Sequence, residues 1–252
     1  MSLQIGDAIG DGVRRAFTYS GGVLMALLFV YQLVFVGAVN TLVAESLPPE
    51  AQQGSLGLAL PVPVAVAGAL AVVGLLFGVV LYLVATRALT REHSELGSLP
   101  AELFTRRIGR ATVSAVVTNI VVFVAVSVGF VFLFVPGIFL ALSFVFVVFA
   151  IGVEDERAID ALGRSWELAS GDRWSLLALG LIVGVVTAVG SGLGSVLSVV
   201  SPLAGQVTSL ALASIFAVVS YGILADAYLQ LSDAKPREPD AGSPTPEADP
   251  MA

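Results

Sequence analysis

The sequence predicts an all-α, polytopic helix bundle of the membrane: six transmembrane helices in three hairpins, with both termini in the cytoplasm. Three observations carry that prediction. Of 252 residues, 57% are hydrophobic and 12% are charged, about half the charged share of ordinary soluble domains, and the mean hydropathy is +0.95. Four stretches, 16–44, 51–86, 111–153 and 174–225, carry no Asp, Glu, Lys or Arg. All 12 basic residues fall in the segments before, between and after those stretches.

The first element is an amphipathic helix over 4–18. Ile5, Ile9, Val13 and Ala16 share one face, and Asp7, Asp11, Arg14 and Thr18 the other, which suits a helix lying in the interface plane. The first span follows over 21–44, the length that about 30 Å of hydrocarbon demands. The second span runs over 60–86. Pro61 and Pro63 fall in its first turn, where a missing N–H costs little.

The third charge-free stretch holds 43 residues, about 65 Å as one helix, so it must fold back. Pro136-Gly137 marks the reversal, giving spans over 111–133 and 136–153. A second amphipathic helix is expected over 156–170, with Ala158, Leu162, Ser165, Trp166 and Ala169 on one face and Asp160, Arg164 and Glu167 on the other. Asp155 fits its N-cap and Gly171 its C′ position, and Asp172 fits the cap of the next helix. The fourth stretch breaks at Ser201-Pro202 into spans over 174–200 and 203–230.

The domain organisation is therefore a membrane domain over 1–230 and a tail over 231–252. The tail holds five prolines and five acids with little apolar content, so it is expected to be a solvated, disordered cytoplasmic extension. Asp7-Ala8-Ile9-Gly10 and Asp160-Ala161-Leu162-Gly163 lie 153 residues apart. That spacing suits a vestigial repeat, although Ala/Gly/Val-rich sequence also matches itself by chance.

With six spans every Arg and Lys falls on one side, and the opposite loops carry only Glu45 and Glu50. The positive-inside rule then places that side, with both termini, in the cytoplasm of a plasma membrane. Arginine outnumbers lysine eleven to one and the exposed segments are acidic, a halophilic, archaeal type of composition.

Most site chemistry is excluded or weak. The chain has no cysteine and one histidine, His93, so thiolate chemistry and two-histidine metal sites are absent. Glu154, Asp155, Glu156 and Asp160 read best as a solvated helix start. Arg14-Arg15 before an apolar run reads as an orientation anchor rather than an export signal. Neither a cofactor, a metal nor nucleic acid is expected.

The small-residue pairs Gly74/Gly78, Gly180/Gly184 and Gly190/Gly194 have the four-residue spacing that lets helices approach closely in lipid. They are expected to pack within the bundle, and the same faces suit a homodimer or another membrane protein. Gln32, Asn119 and Asp226 lie inside spans, where polar groups are functional candidates or interhelical glue.

One segment carries a resemblance. Pro136-Gly137 opens an apolar span ending at Glu154-Asp155, followed by Ala161-Leu162, Ser165-Trp166, Leu168, Gly171 and Trp174. This resembles the membrane domain attached to some glycerophosphoryl diester phosphodiesterases, and related multi-pass membrane proteins of haloarchaeal type. The resemblance implies a six-helix membrane module with an interfacial Ser165-Trp166 helix. It implies no phosphodiesterase activity, because that belongs to a separate soluble domain with several carboxylates and histidines. The functional expectation is a non-enzymatic membrane module engaging membrane lipid, in envelope organisation or partner scaffolding. The rival expectation is a small-solute or lipid transporter using Gln32, Asn119 and Asp226.

Overall fold

The structure is a computed structural model that describes residues 3–47, 57–198 and 201–236. Among the described residues it is all-α with no strand. Its helices are α1 (Ile5–Ala16), α2 (Tyr19–Ser46), α3 (Val64–Leu89), the single turn α4 (Glu102–Thr105), α5 (Ile108–Phe132), α6 (Phe134–Ser143), α7 (Val147–Val153), α8 (Ala158–Ala169), α9 (Arg173–Ser198) and α10 (Pro202–Ala234).

Five segments are long and apolar enough to cross a membrane: α2, α3, α5, α6 with α7, and α10. A sixth is reached when α8 and the first part of α9 count as one bent segment, turning by 97°. Two helix starts, those of α2 and α10, carry side-chain caps. Thr18 Oγ1 accepts from Gly21 N at 3.4 Å, Ser201 Oγ accepts from Ala204 N at 3.3 Å, and Pro202 occupies the first position of α10, where its missing N–H is harmless.

α10 is the hub, packing on α9, α1, α2 and α3, while α3 also packs on α2, α5 and α7. Two crossings rest on glycine. A Cβ on Gly12 would land on the backbone of Gly222 and Ile223, so α1 meets α10 backbone to backbone. A Cβ on Gly129 would come within 2.9 Å of Gly137 Cα, and one on Gly137 within 2.6 Å of the Phe130 ring, which sets the α5–α6 hairpin. Leu133, in extended conformation, is the whole turn between those helices.

Burial is uneven along the helices. The buried core gathers Leu81 to Leu89, Phe146 to Gly152, Ala161 to Ala169 and Gly222 to Leu231, all at the end that also holds the arginines. At the other end the large side chains of α3, α5 and α6 point outward, among them Leu76, Phe123, Val131 and Phe134. Exposed apolar surface on this scale suits hydrocarbon rather than water.

Four expected elements differ from the sequence reading. Pro61 and Pro63 precede α3 rather than lie in its first turn, because Val64 opens the helix. α10 runs to Ala234, so the first residues of the expected disordered tail are helical and Leu231 is buried, while 237–252 lie outside the described residues. The span over 136–153 is not one helix. It breaks at Phe144–Phe146, where Phe144 and Phe146 take φ values of −109° and −94° with ψ near zero. The helix over 156–170 starts at Arg157, not at an Asp155 cap, because Asp155 takes a left-handed turn with φ +56°. Gly171 does take the C′ position, at φ +91°, the region that favours glycine.

Candidate functional site

A helix broken inside an apolar span exposes backbone groups that lipid cannot satisfy. Here α8 supplies the missing partner. Ser165 Oγ donates to Ser143 O at 2.9 Å and accepts from Phe146 N at 3.1 Å, and the side chain is fully buried. Trp166 then lies against the Phe139 and Phe144 rings, with centroids 5.5 and 5.9 Å away. The Ser165-Trp166 pair of the sequence motif thus closes the break in the preceding span.

Beside the break α6 and α9 touch only locally, and between them opens a cavity of about 550 Å³. Its wall is Val135, Ile138, Phe139, Leu142 and Leu177, with Gly171, Arg173 and Trp174 at one end. Val135 is 74% exposed and Trp174 84%, so the cavity is a crevice on the outer surface of the bundle. Such volume and apolar lining are usual for a small-molecule or acyl-chain site.

Arg173 is the crevice's one charge. Its guanidinium carbon stands 4.4 Å from the Phe139 ring centroid and 4.8 Å from that of Trp166. Nε donates to Ser143 Oγ at 3.1 Å, and Nη2 is buried with no acceptor. Cation–π contact orients the group.

Other cations near this end have partners. Arg87 donates to the carbonyls of Gly152 at 2.8 Å, Leu103 at 3.2 Å and Arg106 at 2.8 Å, and pairs with Asp155 at 3.5 Å. Asp155 also takes Arg106 at 2.6 Å. Arg164 reaches both oxygens of Glu154 at 3.2 Å, and Tyr228 donates to the same carboxylate. Lys235 pairs with Asp172 at 3.5 Å, whose other oxygen accepts from Leu3 N at 3.2 Å. These pairs tie the two chain ends to the α7–α8 and α8–α9 turns.

That network corrects three expectations. Glu154 and Asp155 are ion-pair acceptors rather than a solvated helix start. The Asp172 carboxylate holds Leu3 and Lys235 rather than capping α9. Arg164, placed on the polar face, is buried. Arg87, on the apolar α3, and Arg164, buried on α8, each need a carboxylate nearby, and the α7–α8 loop supplies Asp155 and Glu154.

The three intramembrane polar residues do not meet. Gln32 donates to Ser214 Oγ at 3.2 Å, joining α2 to α10. Asn119 donates to Ala115 O of its own helix at 2.8 Å. Asp226 accepts from Gln230 at 2.8 Å and pairs with Arg15 at 3.5 Å.

Of the glycine pairs, Gly74 and Gly78 lie under the Phe35 and Tyr31 rings of α2. Gly180 and Gly184 are corrected: nothing lies within 4 Å of a Cβ on either, so among the described residues no other helix packs on that face. Gly190 and Gly194 fall in the part of α9 whose side-chain surroundings lie outside the described residues.

Of the motif residues, Ala161, Ser165 and Leu168 are fully buried, Leu162 packs against the cluster around Leu83 and Val147, and Pro136 sits in the first turn of α6. Gly171 and Trp174 join the crevice. The sequence reading missed Phe139, Leu142, Ser143 and Arg173. One signal was present: Arg173 is the last charge before a 52-residue run without any, from 174 to 225.

Residues 3–231 match the family described as a domain of unknown function (DUF7847). No curated protein and no solved structure matches the chain.

Proposed function

The chain belongs to the DUF7847 family, and from that premise we propose that it is a non-enzymatic module of the plasma membrane that engages membrane lipid. It crosses six times, with the arginine-rich end and both termini in the cytoplasm, as the segregation of basic residues favours. The observation that carries the reading is the division between polar groups and space. Gln32, Asn119 and Asp226 are each spent on a separate partner. The crevice is apolar and open at the bundle surface, the form expected for an acyl chain rather than a hydrated solute.

The scaffold role rests on the same end of the molecule, where the ion pairs hold the helices in fixed relation. The test is lipid analysis of the full chain purified in mild detergent, together with solute flux in proteoliposomes. Retained phospholipid near one molecule per chain with no flux above empty vesicles is expected. Flux that Gln32→Leu or Asp226→Asn abolishes, with no retained lipid, would establish the transporter instead.

A further inference from the structure

We propose that the α6–α9 crevice binds one anionic phospholipid, with its acyl chain along Ile138, Leu142 and Leu177 and its phosphate on Arg173. The inference rests on the lipid reading above and names the ligand class and the residue that selects it.

The apolar wall cannot be what selects the ligand. A lipid tail leaving the bilayer for a leucine-lined crevice exchanges one hydrocarbon surroundings for another and gains almost nothing. Selection must come from the polar end, and there the crevice holds one group, Arg173. A cation drawn from water into apolar surroundings is costly unless it is paired. Arg15, Arg87, Arg106, Arg164 and Lys235 each have a carboxylate within 4.0 Å. Arg173 has none among the described residues.

The geometry around Arg173 favours a phosphate. The rings of Phe139 and Trp166 and the bond to Ser143 hold the guanidinium still, so little side-chain freedom is left to lose on binding. A planar guanidinium matches phosphate oxygens two at a time. Arg173 is also the first residue of α9, a 26-residue helix, whose N-terminal dipole end attracts an anion. Trp174 stands exposed beside it, as aromatic residues do at headgroup level. Basic pockets between helices at that level are suited to anionic headgroups.

The full chain in zwitterionic detergent, offered phosphatidylglycerol and phosphatidylcholine of identical chains, is read by native mass spectrometry. One phosphatidylglycerol per chain should be retained, preferred over phosphatidylcholine by about tenfold, because both lipids carry the phosphate and only phosphatidylcholine brings a choline cation beside the unpaired Arg173. Arg173→Gln should erase the preference, and Arg173→Lys should keep part of it. Leu142→Trp, which fills the crevice and keeps the cation, should remove both lipids. Inorganic phosphate at millimolar concentration should displace nothing.

Survival of the preference in Arg173→Gln would overturn the site and leave the lipid reading standing, with the exposed Arg107 and Arg110 as the next location. Displacement by inorganic phosphate would make it a free-anion site and also overturn the proposal. Retention of neither lipid by the unaltered chain would overturn both readings. Should Arg173→Gln fail to fold, Leu142→Trp and the phosphate competition decide.

Discussion

Ser165 satisfies two buried backbone groups that its own helix does not own, Ser143 O and Phe146 N. Its replacement by alanine leaves both unmet in apolar surroundings. Ser165→Ala should therefore lose about 1–3 kcal/mol, read as a lower melting temperature in detergent. An unchanged melt would mean the break is satisfied some other way. Asp155 carries two burdens that can be separated. Its carboxylate pairs with Arg87 and Arg106, and its backbone sits at φ +56°. Asp155→Gly removes the charge and suits the turn, whereas Asp155→Ala removes the charge and strains it. The alanine variant should be the less stable by about 1 kcal/mol, since left-handed backbone costs an ordinary residue about that much. Equal melting of the two would show that the turn relaxes.

The long helices were legible in the sequence and their faces were not. The bilayer sets a length of about 20 residues and expels charge from it, so gaps between charged residues, divided at their polar and proline breaks, give spans over 21–44, 60–86, 111–133 and 203–230, close to the observed ends of α2, α3, α5 and α10. The same solvent hides which face meets a neighbour, because α2, α3 and α10 are apolar all round. That is why Gly74 and Gly78, which lie under aromatic rings of α2, could not be told from Gly180 and Gly184, which lie under nothing. The break at Phe144–Phe146 was illegible for a related reason. No Gly or Pro lies within it, and its partner Ser165 is 19 residues from Phe146. Two substitutions separate the faces. Gly222→Leu must push α1 off α10, so exchange across 5–16 should rise and the melt should fall by about 1–3 kcal/mol. Gly180→Leu with Gly184→Leu should shift the melt by less than about 0.5 kcal/mol, as for an unconstrained surface site. A large loss there would mean that those glycines pack on a second chain.

At the scale of the molecule, tight packing and ion pairs share one end, and bare apolar surface covers the other. Arg15 and Arg87 reach between elements far apart in sequence and Arg164 across the α7–α8 turn, and their partners Asp226, Asp155 and Glu154 stand at the edges of the charge-free stretches. Where charges stop was therefore readable, whereas which of them pair depends on how the helices are ordered around α10. The α6–α9 crevice follows from that order, since α9 belongs with α10 and α6 with α5, and Arg173 joins the two hairpins at Ser143. With the arginine-rich end facing the cytoplasm, as proposed, Arg173 stands at the level of the inner-leaflet headgroups. The chain has no cysteine, so single cysteines report without background. Ala59 and Ser98 are both exposed and lie at opposite ends of α3. In intact cells a membrane-impermeant maleimide should label Ala59→Cys at once, and Ser98→Cys only after the membrane is opened. Labelling of Ser98→Cys from outside, with Ala59→Cys protected, would contradict the account.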